Sequence, residues 1–194
     1  MEYILEIPNS ISKHKCKEII RRFEDDTKKL PGVAGTPSTV QPVKKSLDLG
    51  ISGHGEWADI DKLLHSELNR GLEKYKEYLK KLGCGSNGNF AKSTDTGYQI
   101  QKTVEGQYYG WHHDSSVASN RVLTFIWYLT SHHPIEDGGG TAFQQYCANG
   151  KIIIPEEGKL VFFPATWTYM HCGLPLISQR AKYLVTGWIS CDSM

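Results

Sequence analysis

Hydrophobic and polar positions follow two rhythms in this chain, one before and one after about residue 85. In the first part, Cys16, Ile19, Ile20 and Phe23 recur at helical spacing behind Ser12, a good N-cap, and predict a helix. Residues 3–7 ahead of it read as a short strand closed by Pro8 and Asn9. A longer helical stripe occupies residues 56–82 through Trp57, Ile60, Leu64, Leu68, Tyr75 and Leu79. Gly83 is its natural stop and Gly71 a candidate break. Between the two helices, residues 30–55 lose all periodicity among Pro31, Gly32, Pro37, Pro42, Gly53 and Gly55, and read as a long loop.

Beyond residue 85 the rhythm becomes that of short strands separated by turns, at 98–102, 107–111, 122–129, 140–143, 151–154, 159–163 and 183–190. Helices first and strands after predict an α+β fold. Its expected form is a double-stranded β-helix (jelly roll) core over 97–190, buttressed by N-terminal α-helices, with 1–83 mainly helical support and a long loop. A length of 194 residues fits a single domain over 1–194.

Composition adds mostly exclusions. With 22 basic and 21 acidic residues the net charge is +1, and the basic pairs are scattered, so no nucleic acid and no membrane surface is expected as a partner. The chain contains neither a secretory leader pattern nor an apolar run of the ~18 residues a membrane helix needs. Its five cysteines are odd in number and lack C-x-x-C spacing, which favours a reducing, cytoplasmic setting. Nothing in the pattern indicates an oligomeric state.

The chemistry concentrates in the stretch from Tyr109 to Asp114. On an extended strand His112 and Asp114 project to the same side, so an imidazole and a carboxylate converge. His171, after the apolar run 160–163, is the candidate third ligand. Two histidines and one carboxylate on one face of an octahedron leave the other face open, the arrangement of non-haem Fe(II) oxygenases. The same three ligands also suit zinc, as in a Zn(II) hydrolase or a cupin-like protein. His113 and Cys172 face away by strand parity, and His132 and His133 sit in a polar loop. A second cluster is Arg180 with Lys182. Lys182 begins the alternation Leu184, Thr186, Trp188 and is internal if that face is internal. Tyr108, Tyr109, Trp111 and Trp127 are candidates for an aromatic substrate surface.

Several ordered segments resemble the 2-oxoglutarate and Fe(II)-dependent oxygenases of the prolyl 4-hydroxylase type: 106–114, 121–129, 138–143, 158–164 and 171–188. The resemblance implies that His112, Asp114 and His171 bind Fe(II), with no further catalytic side chain beyond the metal centre. It implies that Lys182 pairs with the far carboxylate of 2-oxoglutarate, with Thr124 and Tyr128 beside it, and that Tyr109 and Arg121 contact substrate. The cosubstrates would be 2-oxoglutarate and O2, with ascorbate as a possible reductant, and the substrate a peptidyl proline; a free amino acid or other small molecule is the alternative. Two departures stand out. Thr103 replaces a tyrosine common in that type, and His171 and Lys182 are slightly further apart than usual, which keeps Arg180 as an alternative anchor.

Overall fold

The computed structural model describes residues 2–33, 44–84, 93–115, 120–145 and 149–191. Strand β1 (Leu5–Ile7) precedes helix α1 (Lys13–Asp25), and β2 (Leu30–Pro31) and β3 (Leu47–Gly50) precede α2 (Ala58–Lys81). The rest is strand and turn: β4 (Ser93–Asp95), β5 (Gln99–Thr103), β6 (Tyr109–His112), β7 (Arg121–Tyr128), β8 (Thr141–Phe143), β9 (Ile152–Ile153), β10 (Leu160–Pro164), β11 (His171–Gly173) and β12 (Lys182–Cys191). They form two antiparallel sheets. The larger runs β1-β10-β7-β12-β5-β3-β2, with β4 also on β12, and the smaller runs β6-β11-β8-β9.

Strand β7 shows how sequence parity builds this arrangement. Its Leu123, Phe125 and Trp127 join Cys16, Ile19 and Phe23 of α1 and Ile60, Leu64 and Leu68 of α2 in a core on the helical side. Its Ile126 and Tyr128 point the other way and pack with Phe143, Val161, Phe163, Tyr169 and Leu184. Period-two alternation thus hands one set of side chains to the helices and the other to the space between the sheets. That inner space holds the site.

Helix α1 begins where Ser12 accepts a hydrogen bond from the Lys15 amide at 3.3 Å, as the capping reading requires. Helix α2 is unbroken, contrary to the expectation for Gly71. A Cβ there would lie 2.6 Å from Leu160 Cδ2 and 2.9 Å from Phe162 Cε2, so the glycine marks close approach of helix and sheet. The expected loop over 30–55 is also corrected. Its described residues include β2 and β3, and β3 extends the larger sheet by pairing with β5 from Leu47↔Lys102 to Gly50↔Gln99. The reason is a local polar knot that hydropathy patterns do not register: Lys44 and Asp48 form a buried ion pair, and the Ser46 hydroxyl donates to Asp48 at 2.7 Å. No described helix is long and apolar enough to cross a membrane. Cys16, Cys84, Cys172 and Cys191 are free thiols, and Cys147 lies outside the described residues.

Candidate metal centre

The antiparallel register of β6 and β11 sets His112 directly opposite His171. Strand β6 ends at His112, and Asp114 follows, held where the Asp114 and Ser115 amides both donate to the Ala165 carbonyl at 3.1 and 2.8 Å. Three ligand atoms, one from each of His112, Asp114 and His171, lie within 4.8 Å of one another. The His112 and His171 Nε2 atoms are 3.7 and 3.5 Å from the Asp114 carboxylate oxygens.

Each imidazole is oriented by its other nitrogen. The Nδ1 of His112 lies 2.8 Å from the Gly110 carbonyl and that of His171 lies 3.0 Å from the Tyr169 carbonyl. A carbonyl only accepts, so Nδ1 carries the proton and each Nε2 presents a lone pair to the shared point. Burial, and then the neighbouring His171, push the His112 pKa down to about 4, which keeps that imidazole neutral. Thr124 on β7 donates to Asp114 Oδ2 at 2.6 Å and fixes the carboxylate. Tyr109 stacks on His112 with ring centroids 3.6 Å apart, and Phe163 meets the His171 ring edge-on at 4.7 Å. Two imidazoles oriented through Nδ1 and one anchored carboxylate therefore suit a divalent cation with open coordination positions.

The centre opens into a cavity of about 500 Å³ that also includes Lys182, Thr103, Thr141, Tyr109, Arg121 and Trp188. Lys182 is only 4% exposed, and its ammonium donates to the Gly139 carbonyl at 2.7 Å. No carboxylate lies within ion-pairing distance of it among the described residues. Burial pulls its pKa down to about 8, against a smaller opposing effect from Cys172. A buried cation without a counter-ion is a receptor for an anion.

Other expected residues are distributed unevenly around this cavity. Thr124 lines it, with its hydroxyl already engaged by Asp114. Tyr128 is fully buried and does not line it; its hydroxyl meets that of Thr141 at 2.7 Å, and Thr141 is the residue on the wall. Arg121 lies over Trp188, 3.6 Å from the ring centroid, and donates to the Asp114 carbonyl at 3.3 Å. Two assignments are corrected. Arg180 is 67% exposed and turned outward onto Asp137 and the Ser131 carbonyl, because it precedes β12 on the outer turn. Trp127 is 0% exposed on the helical side, where its indole N–H donates to Ser10; it shares the face of Leu123 and Phe125, which points away from the cavity. Trp111, expected in the aromatic surface, is 48% exposed and outside the cavity wall. Sequence reading passed over Lys44, Gln99, Gln101 and Thr141. Parity along β5 with Thr103 signalled the two glutamines, and the Gly138-Gly139-Gly140 run signalled Thr141.

Comparison with known proteins agrees with this geometry. The family described as the 2OG-Fe(II) oxygenase superfamily matches residues 98–190, which contain the three candidate ligands and Lys182. No curated protein matches the chain by sequence. Solved structures share its fold. A prolyl hydroxylase from Trichoplax adhaerens, in complex with a hypoxia inducible factor oxygen degradation domain peptide fragment, has a TM-score of 0.81 at 17% identity, covering 98% of this chain and 84% of its own. A Pseudomonas putida prolyl-4-hydroxylase has a TM-score of 0.69 at 18% identity, covering 100% and 95%. The viral collagen prolyl hydroxylase of Paramecium Bursaria Chlorella virus-1, in its 2OG complex, has a TM-score of 0.68 at 19% identity, covering 99% and 97%. The match spans just under half of the chain and supports a dioxygenase using Fe(II), 2-oxoglutarate and O2, built on the double-stranded β-helix fold of these prolyl hydroxylases.

Proposed function

We propose that the protein hydroxylates a proline carried in a peptide, with residues 1–194 acting as one domain around one site. His112, Asp114 and His171 would hold the iron, and Lys182 the far carboxylate of 2-oxoglutarate, with Thr141 and Thr103 beside it. When bound, the iron and its cosubstrates supply the oxidation of an unactivated C–H bond by dioxygen, coupled to conversion of 2-oxoglutarate into succinate and CO2.

What the chain's own residues contribute is position and charge. The carbonyls of Gly110 and Tyr169 keep both imidazoles aimed, and Thr124 keeps Asp114 from swinging away. Lys182 neutralises a carboxylate in a dry part of the cavity, where an ion pair is strong. Tyr109 and Arg121 take the substrate side. The observation that carries the reading is Lys182: a buried ammonium without a counter-ion, in the same cavity as the three ligand atoms. A zinc hydrolase would have no use for it.

A peptide is favoured over a free amino acid by the balance of charge on the wall. Lys44, Lys45, Arg121 and Lys182 line the cavity, whereas its one described carboxylate is Asp114. Lys44 is paired with Asp48, and with Asp114 committed to metal and Lys182 to 2-oxoglutarate a free α-ammonium would meet Lys45 and Arg121 and no uncommitted carboxylate on the wall. The fold shared with a peptide-bound hydroxylase points the same way. The test is incubation with Fe(II), 2-oxoglutarate and proline-containing peptides, reading succinate and a mass gain of about 16 Da, the mass of one oxygen atom. Gain on peptides supports the proposal, and gain on free amino acids alone overturns the substrate class.

A further inference from the structure

Gln99 and Gln101 occupy alternate positions of β5, and both side chains line the cavity that contains the three-ligand cluster. Their backbones are consumed on both edges, by β12 at Thr186 and Leu184 and by β3 at Gly50 and Asp48. The side chains are not consumed. Gln101 Nε2 donates to Gln99 Oε1 at 2.7 Å, and no other partner for either amide lies within hydrogen-bond reach among the described residues. Whichever way the amides are turned, linking two carboxamides through one hydrogen bond leaves N–H donors at one end and a carbonyl acceptor at the other. Both residues are half-buried, so these groups face into a partly desolvated wall.

A donor and an acceptor held side by side select their partner by chemistry. A carboxylate satisfies only the donor and an ammonium only the acceptor. One residue of an extended peptide presents its own N–H and C=O toward the same side, and so satisfies both. A neutral pair also suits a neutral group, and the cations of this cavity sit elsewhere on the wall, at Lys44, Lys45, Arg121 and Lys182. We propose that Gln99 and Gln101 form a docking site for the backbone N–H and C=O of one extended residue of a peptide substrate, holding it in the cavity beside the metal centre. This rests on the peptide reading above and adds where the main chain is held.

The experiment compares the wild-type enzyme with Gln99→Leu, Gln101→Leu and the double variant on blocked, proline-containing nonapeptides, with free L-amino acids alongside. In the best peptide, each backbone N–H of the residues on either side of the proline, whose own nitrogen carries no hydrogen, is then replaced in turn by its N-methyl form. Loss of one hydrogen bond predicts a KM about tenfold higher for each variant, with kcat within twofold. One N-methylated peptide should show the same penalty on the wild-type enzyme and no added penalty on the double variant. Equal peptide KM values across all four proteins, or a methylation penalty undiminished in the double variant, overturn the docking site while leaving the peptide reading intact. Failure of the wild-type enzyme to oxidise any peptide overturns both. Thermal unfolding midpoints check folding, and Gln101→Met, of similar length and shape, replaces any leucine variant that unfolds.

Discussion

Lys182 carries the sharpest consequences at the scale of single residues. Its ammonium is buried, bonded to one carbonyl, and held down to a pKa of about 8 by burial. Lys182→Ala should raise the 2-oxoglutarate dissociation constant by about a hundredfold or more, because it removes a buried charge-assisted pair. Arg180→Ala, on an outward-facing side chain, should change it less than twofold, and titration of both variants decides between them. The pH dependence has a definite sign. Only the protonated amine pairs with a carboxylate, and binding raises its pKa. Below about pH 8 the free protein is already charged there and affinity is flat, whereas above it affinity falls by up to tenfold per unit as binding must take up a proton. Calorimetry in two buffers of different ionisation enthalpy reads that proton directly, and zero uptake at pH 9 would show that the lysine is not the anchor. Thr124 makes a separate prediction. Thr124→Val removes the hydrogen bond to Asp114 Oδ2 and should weaken binding of a divalent metal about tenfold, measured by Mn(II) titration.

Elements that announce themselves by periodicity were legible in the sequence, and those held by pairing or by charge were not. The alternation in β7, the stripe of α2 and the cap at Ser12 all follow from spacing, because each buries one face against a large apolar surface. Parity was legible but one face was misassigned. Trp127 follows the same alternation as Thr124 with the opposite phase, and only the position of the helices says which phase meets the cavity. Strands β3 and β11 were missed as elements because they are short and take their order from partners far along the chain. In β3 the missing signal was the buried Lys44–Asp48 pair, which also reaches the site: Lys44 lies over the Tyr109 ring at 5.4 Å, and Tyr109 stacks on His112. Lys44→Met strands a buried carboxylate and should destabilise the protein by about 3–5 kcal/mol, whereas Lys44→Met with Asp48→Leu should recover most of that loss in urea unfolding. Equal destabilisation by the single and double variants would remove the pair from the account of β3. The Gly71 close approach, read from sequence as a helix break, needed the facing Leu160 and Phe162 to be understood.

For the whole molecule, the decisive fact is that the two candidate histidine ligands and the proposed 2-oxoglutarate anchor Lys182 belong to different sheets. His112 and His171 lie on β6 and β11 of the smaller sheet, with Asp114 just beyond β6, whereas Lys182 and Thr124 lie on β12 and β7 of the larger one. Side-chain hydrogen bonds already join the two sides near the centre: Thr124 donates to Asp114 Oδ2, and the Tyr128 hydroxyl on β7 meets that of Thr141 on β8. In the proposed site a metal alone would engage His112, Asp114 and His171, and 2-oxoglutarate alone would meet Lys182, Thr103 and Thr141 but would lack the metal as an attachment for its other end. Together they would tie His112, Asp114 and His171 to Lys182 through one bridging molecule. Any ligand that binds only the folded state stabilises it by RT ln(1 + [L]/Kd), about 2.7 kcal/mol at a hundredfold excess over Kd. If each ligand raises the affinity of the other, the shift in the unfolding midpoint with both present must exceed the sum of the separate shifts. Mn(II) with 2-oxoglutarate, kept anaerobic, should therefore raise the midpoint by several degrees more than the two single additions combined. In Lys182→Ala that excess should vanish while the Mn(II) shift remains, since the three metal ligands are untouched. Strictly additive shifts in the wild-type protein would mean that no molecule spans the two sheets, and the pairing of Lys182 with a metal-bound keto acid would have to be given up.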